Sequence, residues 1–181
     1  MSKETFPHLE ALRDLMRSKH IDAVIISGTD PHQSEYPSEH WKFRDYVSGF
    51  TGSNGTAVVT LDDAGLWTDS RYFLQAAEQL EGSGFTLHKE NIPGEPTVLE
   101  WLGEVLDEDA VVGVDGRLFS LIEANRIEMF CAQNGFMFAP DFRAAEAIWT
   151  DRPARPMNPA FVHDEALAGE DVDSKISRVV D

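Results

Sequence analysis

The chain has 181 residues, 42% of them hydrophobic, which is enough for one well-packed core and the start of a second unit, and too apolar for a disordered chain. Its 32 acidic and 15 basic residues give a formal net charge of −17, a surface that repels nucleic-acid phosphates and anionic membranes. Apolar runs such as Ala23 to Ile26 and Ala57 to Val59 are far shorter than the roughly 20 residues that cross a bilayer. The N-terminus lacks a basic-then-apolar leader, and a single cysteine, Cys131, allows no internal disulfide. That cysteine count fits a reducing, cytoplasmic setting.

In chain order, Thr5 can cap a first helix, with Leu9, Leu12, Leu15 and Met16 near one face. Ile21 to Ser27 is a continuous apolar run that ends at Gly28 and predicts a strand buried on both faces. Thr29 to Tyr46 is polar, aromatic and proline-containing, and predicts a long ordered loop with a short helix near Glu39 to Arg44. Gly49, Gly52 and Gly55 follow, suited to tight turns or a crowded crossing. Thr56 to Leu61 and Gly65 to Asp69 predict a hairpin that turns through Asp62, Asp63 and Ala64.

Ser70 can cap a helix with Phe73, Ala76, Ala77 and Leu80 on one face, stopped by Gly82 and Gly84. Phe85 to His88 alternates as a short strand. Thr97 with Glu100, and Ser120 with Glu123, are capping-box pairs that open two further helices. Ala110 to Val114 lies between those helices as another buried strand. Asn134-Gly135 ends the second helix, Phe136 to Ala139 predicts a last strand, and Asp141 to Trp149 a short helix. Thr150 to Pro159 holds three prolines and two arginines and reads as a linker or extended strap. Val162 to Gly169 reads as irregular, and Asp171 to Val180 regains a helical pattern. The expected organisation is one α/β domain over 1–156, followed over 157–181 by a linker and the truncated first helix of a second, similar domain.

Chemistry is sparse. His32 and His40 flank Glu35, but no pair has the H-x-x-H or H-E-x-x-H spacing of a metal site, so the loop reads as ordinary polar sequence. A phosphate loop needs a helix after its glycines, and here a strand follows. A serine nucleophile would need G-x-S-x-G, which is absent. Asp69 and Arg71 lie where a strand becomes a helix. A cation there is unfavourable against the helix dipole unless the aspartate pairs with it. Trp67 is a candidate cleft wall, with Tyr36 on the preceding loop.

Five ordered segments carry a resemblance: H-Q-S-E-Y at His32 to Tyr36, V-S-G-F-T-G-S-N-G-T-A at Val47 to Ala57, W-T-D-S-R-Y-F-L-Q-A at Trp67 to Ala76, V-G-V-D at Val112 to Asp115 and I-W-T-D-R-P at Ile148 to Pro153. Together they resemble the creatinase/prolidase-type N-terminal domain of three-domain Xaa-Pro aminopeptidases (aminopeptidase P), a metallopeptidase family. The resemblance implies a mixed sheet of about six strands flanked by helices. It also implies a parent hydrolase that releases the residue before proline, using two divalent metals, usually manganese, held in a later catalytic domain. No residue of this chain is implied as a metal ligand or catalytic group. The implied partners are the chain's own second and catalytic domains, a peptide with proline at its second position, and a second subunit of a homodimer. The first domain would shape and restrict the cleft, with His32, Tyr36, Trp67, Asp69 and Arg71 as candidate cleft residues. The alternative is a non-enzymatic binding module of the same fold, as in a histone-chaperone subunit, with the acidic surface turned to a basic partner.

Overall fold

Every residue of β1 (Ala23–Ile26) is buried, as a continuous apolar run predicts for a strand covered on both faces, and β1 lies inside a six-stranded sheet. The computed structural model describes residues 5–180, with side chains described from residue 7 onward. The other strands are β2 (Thr56–Thr60), β3 (Ala64–Thr68), β4 (Thr86–Lys89), β5 (Val111–Val114) and β6 (Met137–Ala139), in the spatial order β4-β3-β2-β1-β5-β6. β2 is antiparallel to both neighbours, pairing Val59 with Val24 and Ala57 with Leu66. The β1–β5, β3–β4 and β5–β6 pairs are parallel. Five strands therefore end on one edge of the sheet, and β2 begins there.

Side-chain alternation divides the core into two layers. Val24, Ile26, Ala57, Val59 and Leu66 face α1 (Thr5–Lys19), α2 (Phe43–Ser48), α3 (Phe73–Gln79) and α6 (Ala144–Ile148). Ala23, Ile25, Val58, Trp67, Val112 and Val114 face α4 (Val98–Val105) and α5 (Leu121–Gln133). Both capping boxes form: Thr97 and Ser120 each accept from the N–H three residues on, and Glu100 and Glu123 reach back to the cap N–H. Gly135, at φ +74°, ends α5 in the left-handed region that a Cβ disfavours.

Several local expectations are corrected. The hairpin turn is shifted one residue toward the N-terminus, because β2 ends at Thr60 and Ala64 already pairs with Val59 in β3. Ser70 does not cap α3, which starts after Tyr72 without a side-chain cap. Ala77 is exposed, and Ala76 with Leu80 buries the helix face. The long loop holds a 3-10 turn at Glu39–Trp41 and then α2, so its ordered helical part reaches Ser48. Val162 to Gly169 contains a short helix, α7 (Glu165–Ala168), capped by Asp164, and α8 covers Val172–Val180. The cap read for Thr5 concerns a side chain outside the described residues.

Trp67 is also corrected. It is 1% exposed, lies under α4, and offers nothing to a cleft. Its ring stacks on His88 at 4.1 Å between centroids and meets Trp101 edge-on, and its Nε1 donates to Pro96 O at 2.8 Å. Gly65 accommodates this arrangement, since a Cβ there would lie 2.5 Å from the Trp67 ring. Burial lowers the His88 pKa below that of a free imidazole, against the opposing attraction of Glu95 with its carboxylate 3.6 Å away. Stability that depends on neutral His88 is therefore complete above the unfolded imidazole value of about 6.5 and declines as pH falls through the window below it. The unfolding free energy of the parent should fall with a slope of at most about 1.4 kcal/mol per pH unit there, in excess of that of His88→Phe. Parallel melts of the two proteins between pH 7.5 and 5 measure this, and superimposable slopes would refute it.

Candidate functional site

The carboxyl edge of the sheet, where loops can present side chains to a ligand in open α/β folds, gathers the polar residues. The strand-to-helix turn after β3 places Asp69 and Arg71 together. Arg71 donates from its backbone N and from Nε to Asp69 Oδ1, each at 3.0 Å, and from Nη2 to Oδ2 at 2.7 Å. The local pair that offsets a cation near a helix start thus forms, and it holds the Asp69 carboxyl down at about 2. Asn54 Nδ2, from the glycine-rich segment, donates to the same Oδ2 at 2.7 Å. The Arg71 side chain keeps 59% of its surface exposed, with its guanidinium over the Tyr72 ring.

The glycine-rich segment approaches closely because it lacks side chains. A Cβ on Gly52 would lie 2.3 Å from Phe50 Cζ and 2.8 Å from Tyr72 Cδ1. Gly49 ends α2 at φ +79°. Beneath this crossing lies Arg44, 3% exposed. It donates to Asp45 Oδ1 from Nε and Nη2, to Gly55 O from Nη1 at 3.0 Å, and to Gly52 O from Nη2. Burial pushes the Asp45 carboxyl above its usual range despite Arg44 beside it.

Above Arg44 the long loop and the glycine segment enclose a groove of about 270 Å³, lined by Glu35, Tyr36, Thr51, Ser53, Tyr72 and Gln75 among others. Ser53 Oγ and Tyr72 Oη are 2.8 Å apart across it. Tyr36 is 78% exposed, and the charge of Glu35 raises its phenol pKa, with Arg71 acting in the opposite sense. Of the candidate residues, Tyr36 lines this groove, and the Asp69–Arg71 pair lies beside it, with Arg71 over the ring of Tyr72 in its wall.

Neither Trp67 nor His32 joins them. His32 has an exposed side chain, and its backbone N–H donates to Asp30 Oδ1 at 2.8 Å. Ser34 N donates to the same oxygen. Burial would raise the Asp30 carboxyl, but these N–H groups hold it below its usual range. Two residues escaped the sequence reading. Asn54 bridges the glycine segment to Asp69, and Glu90 at the end of β4 has its carboxyl raised by burial and then by the charge of Asp69. The one signal for Glu90 was its place directly after a strand parallel to β3.

Among the described residues, no group of three or more His, Cys, Asp and Glu side chains is placed to hold a metal ion. No described helix is long and apolar enough to cross a membrane. The arrangement can offer an exposed guanidinium, phenols and hydroxyls to a ligand.

Comparison with known proteins agrees with this fold. "Aminopeptidase P2" of Arabidopsis thaliana is 45% identical over 159 residues, which cover 86% of this chain and 22% of that protein. A "Probable Xaa-Pro aminopeptidase P" of Coprinopsis cinerea is 37% identical, over 97% of this chain and 28% of that protein. The chain thus spans less than a third of the length of these relatives. The crystal structure of the X-prolyl aminopeptidase of Caenorhabditis elegans, described as a cytosolic enzyme with a di-nuclear active site, superposes with a TM-score of 0.85 at 30% identity, covering 98% of this chain and 30% of that one. The N-terminal domain of the cytoplasmic peptidase PepQ of Mycobacterium tuberculosis shares the fold, with a TM-score of 0.57 at 22% identity over 78% of this chain and 98% of that one. Residues 8–147 match the model of the creatinase/prolidase N-terminal domain, and the chain belongs to that family.

Proposed function

We propose that this chain is the non-catalytic first domain of an Xaa-Pro aminopeptidase, a metallohydrolase that releases the N-terminal residue preceding proline, and that its carboxyl edge restricts access to the cleft of the catalytic domain. The observation that carries the reading is the groove itself. Tyr36 and the Asp69-anchored Arg71 are presented at one open edge, with no constellation of metal ligands near them. In this reading the two divalent metals of the family reaction, manganese by the resemblance, belong to a domain beyond these residues, and no described residue is assigned to them. Membership of the family and the relatives' greater length support that assignment. A boundary near residue 156, a cytoplasmic location, a homodimeric parent and a peptide with proline second belong to the same reading. Exposed Val172, Ile176, Val179 and Val180 on α8 suit packing against a following domain.

A second reading is favoured by one observation. At the amino edge of the sheet Asp22, Asp62, Asp63, Asp107, Glu108 and Asp109 surround a concavity of about 460 Å³. In this reading the domain binds a basic protein and performs no chemistry. Purified 1–181 separates the readings in one set of assays. The first expects no release of the N-terminal residue from an Xaa-Pro peptide with manganese present, and no saturable binding of a lysine-rich peptide at physiological salt. Turnover by 1–181 alone would overturn the first reading, and saturable binding would favour the second.

A further inference from the structure

Trp41 is buried, and three arginine side chains approach its ring. The guanidinium carbons of Arg155, Arg152 and Arg117 lie 4.9, 5.3 and 5.9 Å from the centroid. Arg117 belongs to the domain, where it is paired with Asp115 and Glu146. Arg152 and Arg155 belong to the segment that leaves it. Two hydrogen bonds tie the same segment down: Arg152 Nε donates to His40 O at 2.8 Å, and His40 Nδ1 donates to Pro153 O at 2.6 Å. The His40 ring also stands edge-on to Trp41 at 4.6 Å.

The spacing explains how one tryptophan can receive two arginines. Arg152 and Arg155 are three residues apart, as are Pro153, Pro156 and Pro159. Three residues is the repeat of a polyproline II helix, so both arginines fall on one side of the segment and the prolines on another. Residues 153–164 hold no helix or strand, consistent with such an arm. Each guanidinium over the ring is attracted by the negative face of the indole, most strongly where the contact is withdrawn from water. Burial lowers the Arg152 pKa, in line with a guanidinium drawn out of water.

The position has its own meaning. From β1 the chain passes to α2 on one face of the sheet, and from β5 to α5 on the other, so the carboxyl ends of these adjacent parallel strands form a topological switch point, where open α/β sheets bind ligands. Ile26, Ser27, Trp41, Asp115, Leu118 and Arg152 line this crevice. Here Arg152, from the chain's own outgoing segment, forms part of its wall.

We propose that residues 150–159 are a stiff arm clamped into the switch-point crevice by Trp41, and that the domain thereby fixes the direction and distance at which the following segment is held. At about 3.1 Å per residue, the seven steps from Arg152 to Pro159 reach about 22 Å. The inference stands whether or not the aminopeptidase reading does.

Spin labels on Leu74→Cys and Met157→Cys, both highly exposed sites, test it in the 181-residue chain. Burial raises the native Cys131 thiol to about 11 and hides it from the label. Pulsed dipolar spectroscopy should give one narrow distance distribution. Its width should at least double in Arg152→Gln/Arg155→Gln and in Trp41→Leu, and stay narrow in Trp41→Phe, which keeps an aromatic face. Should Trp41→Leu fail to fold, the arginine pair, on the outgoing segment, still decides the matter. A broad distribution in the parent, or an unchanged width in the double arginine variant, would overturn the clamp.

Discussion

Arg44→Met should lower the unfolding free energy by about 3–5 kcal/mol, the usual cost of removing one partner from a buried, hydrogen-bonded charge pair. The loss leaves the Gly52 and Gly55 carbonyls without their donor and Asp45, a partly buried carboxylate, without its cation. Burial already pushes Asp45 above its usual range, so without Arg44 it will take up a proton more readily. In a chain of this size the thermal midpoint should fall by roughly 10 °C. Arg44→Lys should recover little, because an ammonium cannot reach two carbonyls and a carboxylate with one planar fork. A crowded neighbourhood sharpens the expectation, since a Cβ on Gly28 would lie 2.4 Å from Arg44 Nη1. Denaturant melts of the two variants measure the effect, and a loss below about 1 kcal/mol for Arg44→Met would show that water replaces the side chain.

Arg71→Gln should separate binding from folding. The side chain is 59% exposed and its partner Asp69 is a local one, so the melting midpoint should move little. In a polypeptide that includes the catalytic domain, the same change should lower kcat/KM on an Xaa-Pro peptide about 10- to 100-fold, the equivalent of one charge-assisted hydrogen bond to substrate. Steady-state kinetics beside a thermal melt reads both quantities. Unchanged kcat/KM would confine Arg71 to fixing the turn.

How much of this was legible in the sequence follows from the range of each signal. The two capping boxes, the Gly135 stop and the buried β1 and β5 strands depend on neighbours within a few residues, and the structure forms all of them. Ser70 failed for a local reason as well: the Asp69–Arg71 pair occupies the turn, and the helix begins later. Trp67 failed because a side chain's face in a strand depends on which helices cover each side, and no window around residue 67 contains α4. The carboxyl-edge cluster was half legible. Asp69 and Arg71 are two residues apart in sequence, whereas Asn54 and Glu90 join them only through the order β4-β3-β2. The arm on Trp41 was legible as an extended strap. Its socket was not, because His40 and Pro153 are 113 residues apart.

The place of β1 in the sheet has a consequence for how the chain reaches this state. β2 and β3 pair through a short turn and need almost no loop closure. β1 alone joins the β2–β3–β4 half to the β5–β6 half, pairing Val24 with Val59 on one side and with Gly113 on the other. Until that strand inserts, each half has an open edge of unpaired N–H and C=O groups, the kind that other chains can extend. The most sequence-distant pairing in the sheet, β1 with β5, is thus also one of the two by which β1 joins its halves.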